Sequence, residues 1–350
     1  MALTFSNHGR WEEAEQLQVQ VMETRKAKFG EDHPDTLISL SNPAMMYSDQ
    51  GRWVEAEQLE MQVMETRKMN LGEEHPETLT SMNNLALTFS NHGRWEEAEQ
   101  LQVQVMETRN IKLGEDHPKT LASMDNLAST YSAQGQWVEA ERLQVLVMET
   151  RKTTLGEHHP ETLASMNNLA ATFSKHGLWE EAEQLQVQVM DTSKTKLGED
   201  HPDTLTSMAN LAVMYSNQDR WVEAEQLQVQ VMETLKTTLG EGHPFTLASM
   251  ANLAVMYSNQ DRWEEVEQLE VQVMETSKTK LGEDHPDTLT SMANLAFTWK
   301  SSAYDAEAID LLRDCLTRQK QTLGVNHPST LSTSETLSEW ETGTILEAEG

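Results

Sequence analysis

The apolar positions of this chain form one pattern, written many times over. In residues 201–242, Leu205, Met208, Leu211, Ala212 and Tyr215 recur at helical spacing. A second set, Ala224, Leu227, Val231 and Met232, follows after a polar break. The first set predicts a helix opened by His201 and Pro202. Pro suits the first helical turn, where its missing N–H costs nothing. Asp203 then puts negative charge at the positive end of the helix dipole. The break reads NQDR here and NHGR or DQGR in other copies, so Gly93, Gly135 and Gly177 alternate with Asp219 and Asp261. Both residue types tolerate left-handed backbone. The second set is ambiguous alone, because LQVQVM alternates as a strand would. Its flanks, EAEQ and METLK, are helix formers, and a fixed register keeps its apolar places on one helical face. A second helix from near Trp221 is therefore predicted, ended by Gly240. The unit is a helical hairpin, and neither helix can bury its apolar side alone.

The His-Pro pair recurs at His33, His75, His117, His159, His201, His243, His285 and His327, always 42 residues apart. A fixed period of this size marks a stacked repeat array. It overrides the length of 350 residues, which by itself suggests two or three domains. One solenoid over residues 1–342 is expected: a truncated first unit (1–32), seven units (33–326), and a capping helix (327–342) with Leu331, Leu337 and Trp340. An acidic disordered tail is expected at 343–350. Residues 2–25 equal 86–109 letter for letter, and 192–212 equal 276–296, so tandem duplication built the array. Met1 stands at the place of Leu211, inside a unit. The expectation is an uncapped amino end that frays and self-associates, on the carboxyl part of a longer protein.

Charge and composition narrow the partners. The formal net charge is −31, which repels nucleic acid and anionic lipid. Cys315 is the single cysteine and aligns with Val273 on a buried face, which excludes a disulfide framework. No export leader is expected, and no apolar run reaches about 18 residues. No membrane contact and a cytoplasmic location are expected.

Candidate chemistry is sparse. The eight loop histidines stand one repeat apart, too far to share an ion, and read as helix caps. GEDHPKT at 114–120 lacks the second Gly of a phosphate loop. No Ser-His-Asp set or acid pair stands outside the repeat. The chain is expected not to be an enzyme and to hold no cofactor and no metal. The Trp that opens each second helix is expected to be buried and to hold the array together.

Copies within the chain can be compared with one another. Core places barely change, while four places on the first helix change freely. Five residues after the His stand Ile38, Thr80, Ala122, Ala164, Thr206, Ala248 and Thr290. Eight after stand Ser41, Asn83, Asp125, Asn167, Ala209, Ala251 and Ala293. Twelve after stand Met45, Leu87, Ser129, Ala171, Val213, Val255 and Phe297. Sixteen after, Lys175 is the one cation in a nearly neutral stripe. Beside it an Asn never changes: Asn42, Asn84, Asn126, Asn168, Asn210, Asn252 and Asn294. Mid-helix Asn is unfavourable, so this row calls for a reason. Two readings stand: amides that grip a ligand's main chain, or hydrogen bonds between helices of the fold. For the stripe, ligand selection stands against neutral drift.

NLAVMYSNQDRWVEAEQL resembles the tetratricopeptide repeat, and the LGEDHPDTL linker is similar to the 42-residue kinesin-light-chain type. The resemblance covers the whole chain and implies an all-α fold, a right-handed α-solenoid of helical hairpins. It also implies that the varying stripe lines a concave groove, where an Asn ladder can hold an extended peptide. Gln228 and Val231 depart from the usual pattern, with Trp221 expected to fill the gap. METRK with WVEAEQL, and AEAIDLLRDC with LGVNHPSTLS, look like the repeat regions of fungal NOD-like receptors. That resemblance implies a ligand-sensing region. The rivals are a cargo adaptor like kinesin light chain, and the regulatory arm of a catalytic domain upstream.

Overall fold

The computed structural model describes residues 11–49, 52–325 and 327–349; the expectations for Met1–Asn7 lie outside them. Every regular element among the described residues is an α-helix, sixteen in all. They are α1 (Trp11–Phe29), α2 (Pro34–Asp49), α3 (Trp53–Leu71), α4 (Pro76–Asn91), α5 (Trp95–Leu113), α6 (Pro118–Ala133), α7 (Trp137–Leu155) and α8 (Pro160–His176). Then follow α9 (Trp179–Leu197), α10 (Pro202–Asn217), α11 (Trp221–Leu239), α12 (Pro244–Ser258), α13 (Trp263–Leu281), α14 (Pro286–Ser301), α15 (Asp305–Thr322) and α16 (Pro328–Glu349). Two compact units divide within α9, one over Glu12–Thr192 and the other from Ser193 onward. Within each, even-numbered A helices pack against the B helices before and after them.

One local device starts every A helix with a described linker. The His Nδ1 accepts from the backbone N–H two residues on, as at His75 to Glu77 (3.2 Å) and His201 to Asp203 (3.2 Å). Pro occupies the next place, so the first orphan donors are either absent or satisfied. At six of these helices the Thr after them donates to the carbonyl of the linker Gly, as Thr78 to Gly72 (2.8 Å) and Thr204 to Gly198 (2.8 Å). The hairpin turn needs a left-handed residue. Asp219 (φ 59°) and Asp261 (φ 58°) supply it where Gly93 (φ 77°) and Gly177 (φ 82°) do elsewhere. Past the turn an Arg lies over the A-helix ring, Arg220 at 3.9 Å from the Tyr215 centroid and Arg94 at 4.3 Å from that of Phe89.

The core repeats as a five-residue cluster. Leu121 and Met124 of α6 meet Val147 and Leu143 of α7, and Met106 reaches in from α5. The same set is Leu79, Met82, Val105, Leu101 and Met64 one repeat earlier. In the second unit it is Leu247, Met250, Val273, Leu269 and Met232. In each of these clusters the A helix is thus clamped by its own B helix and the preceding one. Two flanks of every B helix are therefore apolar, which is why LQVQVM reads like a strand yet folds as helix. Cys315 takes the Val place in the last cluster, fully buried, with its thiol donating to the Leu289 carbonyl at 3.2 Å. Burial pushes the Cys315 thiol up to about 12.

Three expectations change. The B-helix tryptophans are half-buried or exposed, with Trp95 at 40% and Trp179 at 36% exposure, because the first turn of a B helix lies at the rim of the hairpin. Core packing rests on Leu, Met, Ala and Val instead. The place of Gln228 is filled by the Gln itself. Gln228 is 0% exposed and donates to the Ser249 carbonyl of α12 at 2.8 Å. Gln102, Gln144 and Gln186 stand buried in the same register, with Glu60 one repeat earlier and Leu312 at the end. Finally, α16 runs on to Glu349 through the expected tail, where Ile, Leu, Ala and Glu all favour helix. Leu337 joins Leu312, Ile309 and Ala296, with Trp340 packed against them, while Leu331 is exposed.

Two outcomes follow for denaturant melting. Leu127→Ala should cost about 2–5 kcal/mol, and Trp95→Ala roughly 1–2 kcal/mol, since less of its ring leaves water; equal losses would refute this account of the core. Burial pushes the Glu60 carboxyl up to about 7, against the opposing pull of Arg67. The folded state then holds a proton that the unfolded chain has lost. Stability falls as pH rises from the ordinary carboxylate range through about 7. Glu60→Gln, which installs the residue of the neighbouring repeats, should stabilise by on the order of 2–3 kcal/mol above that range and hardly at all below it.

Candidate peptide-binding surface

The varying stripe lies on the accessible side of the A helices. In the first unit Met45 is 61% exposed, and Ile38 and Leu87 are exposed beside it. In the second, Val213, Val255 and Phe297 are exposed along α10, α12 and α14. Ser129 is exposed, and the eight-after places Asn83, Asp125 and Asn167 are half-buried. Phe297 meets Trp340 of α16 edge-on, with ring centroids 5.2 Å apart.

The invariant Asn row borders this stripe, and its members differ. Asn42, Asn168, Asn210, Asn252 and Asn294 are exposed, whereas Asn84 and Asn126 are half-buried. Asn126 Nδ2 donates to Asn83 Oδ1 of the preceding repeat at 2.8 Å. The fold therefore uses this amide between helices. Asp125 is tied down as well, its carboxylate 2.8 Å from the Arg151 guanidinium. Burial pushes the Asp125 carboxyl up, and Arg151 opposes that shift.

A cavity of about 530 Å³ opens beside the stripe in the second unit. Thr206 and Ala209 of α10, Leu235 of α11, and Phe245, Ala248 and Asn252 of α12 line it. Its apolar character comes from two residues, Leu235 and Phe245, that depart from the repeat pattern. At the same register in the first unit, Arg67 pairs with Glu77 at 3.1 Å, and Arg151 lies 3.6 Å from Glu161. Leu235 and Phe245 replace that Arg and that acid, and Phe245 is 60% exposed. The available signal was joint change at two places ten residues apart across the linker.

The described surface is thus that of a helical-hairpin array whose core is constant and whose A-helix face varies. Family profiles described as tetratricopeptide repeat match at residues 1–69 and 120–195, and at 78–119, 204–245, 246–287 and 288–329. The chain belongs to the tetratricopeptide repeat family, with 42-residue repeats of kinesin-light-chain type. Among solved structures it is similar to a Podosopora anserina protein described as a kinesin light chain of nearly identical TPR-like repeats. That match has 35% identity, TM-score 0.51, 59% of this chain and 99% of that one. BtubC (BKLC) from P. vanneervenii matches at 16% identity and TM-score 0.52, over 67% of this chain and 92% of that one. Yeast Tom70 matches at 12% identity and TM-score 0.64, over 96% of this chain and 60% of that one. These last two show the fold alone. A comparison with curated proteins gives no match. No helix among the described residues is long and apolar enough to cross a membrane.

The split within the Asn row is testable by thermal melting. Asn126→Ala should lose about 0.5–1.5 kcal/mol with its bond to Asn83. Asn252→Ala should leave the midpoint unchanged; a loss as large as at Asn126 would make the whole row structural.

Proposed function

We propose that this chain is a peptide-binding scaffold, the ligand-sensing repeat region of a cytoplasmic NOD-like receptor. It holds an extended protein segment along the A-helix face. The observation that carries the binding role is the apolar row Val213, Val255 and Phe297, exposed beside the exposed amides Asn210, Asn252 and Asn294. Each amide offers a donor and an acceptor, which suits a peptide main chain of any sequence. The apolar neighbours, which differ between repeats, select side chains, and the cavity at Leu235 and Phe245 suits an apolar one. The receptor assignment is supported by the METRK, WVEAEQL and AEAIDLLRDC motifs.

The second reading is a cargo adaptor, favoured by the Podosopora anserina match described as a kinesin light chain. Against it, the family's adaptors take acidic peptides through basic groove residues, and here only Lys175 in the stripe is basic. Regulation of an upstream catalytic domain is a third reading that the repeats alone do not favour.

A peptide-library screen on the whole chain tests the binding role. Asn210→Ala with Asn252→Ala should weaken every selected peptide at least about tenfold, with an unchanged melting midpoint. Val213→Asp should instead re-rank the peptides. Parental affinity in the double variant would remove the proposed role of the amides. Because the stripe is nearly neutral, affinity should depend little on salt.

A further inference from the structure

We propose that the junction of α5 and α6 is a binding site for the phosphoryl group of a small molecule, held by Arg109 and Lys119. None of the stripe or Asn-row residues lines it, and it does not depend on the peptide-binding reading.

The site is a cavity of about 750 Å³ bounded by the α3–α4 linker, the last turn of α5 and the first turn of α6. Arg109, Lys112, His75, His117 and Lys119 line it, with Glu73 and Glu74. The two carboxylates are already occupied. Glu73 Oε1 accepts from Lys68 (2.7 Å) and Gln104 (2.8 Å), and Glu74 Oε2 lies 2.7 Å from Lys112 Nζ. Arg109 and Lys119 have no ion-pair partner among the described residues.

Among the junctions that carry this Arg, only this one has a second cation in place of the acid. At the equivalent places Arg67 meets Glu77 at 3.1 Å, and Arg151 meets Asp125 at 2.8 Å and Glu161 at 3.6 Å. Here Lys119 stands where those repeats have Glu, so two cations line the cavity at the places an ion pair holds elsewhere. Arg109 is half-buried, and its hydrogen bonds run through Nη1 alone, to Ser123 Oγ (2.8 Å) and the Lys119 carbonyl (3.3 Å). Neither acceptor is charged. Burial lowers the pKa of the Arg109 guanidinium, as expected for a cation partly removed from water without a counter-charge.

The chemistry points to a dianion. A planar guanidinium and an ammonium together match the oxygens and the charge of a phosphate monoester better than those of one carboxylate. Nδ1 of His75 and of His117 accepts from a backbone N–H, at 3.2 Å and 3.1 Å, so each neutral ring carries its proton on Nε2 as a further donor. The cavity exceeds the volume of phosphate itself, so it admits the remainder of a small phosphate ester. In a chain of net charge −31, a local pair of unmatched cations has no need to attract polyanions to serve as such a site.

The test is calorimetric titration of the full chain with inorganic phosphate, phenyl phosphate and acetate at constant ionic strength. Saturable binding of both phosphates at one site, at least about tenfold tighter than acetate, is expected. Lys119→Glu rebuilds the ion pair of the neighbouring repeats, so it should fold and lose at least about tenfold in phosphate affinity. Arg109→Gln should lose as much. Glu77→Lys, which copies the cationic junction beside Arg67, should add a second site, while melting confirms that each variant folds. Absence of saturable phosphate binding, acetate binding as tight as phosphate, or unchanged affinity in Lys119→Glu and Arg109→Gln would overturn the proposal.

Discussion

The structure depends on one contact, the insertion of a B-helix Met into the cluster of the next repeat. Met64, Met106 and Met232 each reach an A helix that belongs to the following hairpin. Without it a hairpin would bury one side of its A helix and leave the other wet. Met suits the place because its flexible, unbranched chain adapts to a gap between two separately formed units. The contact is nearest-neighbour, so stability accumulates along the chain without a central core. It also explains why A helices open on a rigid His-Pro-Thr device. A helix gripped from both sides has to begin at a fixed angle, or one of the two clusters would open.

Around that constant contact, the polar places carry the differences between repeats. The register of Gln102, Gln144 and Gln228 is buried, and a Gln can place a donor on a carbonyl of the next hairpin. Glu60 keeps the shape of Gln but replaces its amide donor with an acid, so its proton becomes part of its fit. The junction register behaves in the same way. An Arg with a Glu forms an ion pair there, Leu235 with Phe245 lines an apolar cavity, and Arg109 with Lys119 lines a cationic one. One backbone thereby presents different small sites without any change in its core.

Much of this is legible in the sequence. The His-Pro period, the caps, and the exchange of Gly177 for Asp219 in a left-handed turn follow from local chemistry, which a sequence displays directly. The exposed stripe through Met45, Leu87, Val213, Val255 and Phe297 was also legible, because internal copies separate constant from variable places. The tryptophans were misread because a large apolar ring suggests burial, whereas its place at the first turn of the B helix decides exposure. For Asn126 the sequence leaves ligand contact and inter-helix bonding both open, and for Asp125 it leaves selection against drift. The Asn126 bond reaches Asn83 of the preceding repeat, which no single unit displays, while Asp125 pairs with Arg151 of its own hairpin.

That last point bears on how such an array changes its ligands. Duplication copies a hairpin whole, including both halves of every internal contact. It does not copy the pairing at a junction, because the partner there lies in whichever hairpin happens to follow. Arg109 retains the Arg of its copies but faces Lys119, and Arg151 faces Glu161 with Asp125 added from the preceding A helix. Junction residues are thus the places where identical units become chemically distinct at the smallest cost to the core. A single substitution of the Lys119 kind alters one site while every Leu–Met–Val cluster stays as it was. Selection for a new ligand therefore acts most freely at the junctions and on the A-helix face, and the Met contact sets the limit on what can vary.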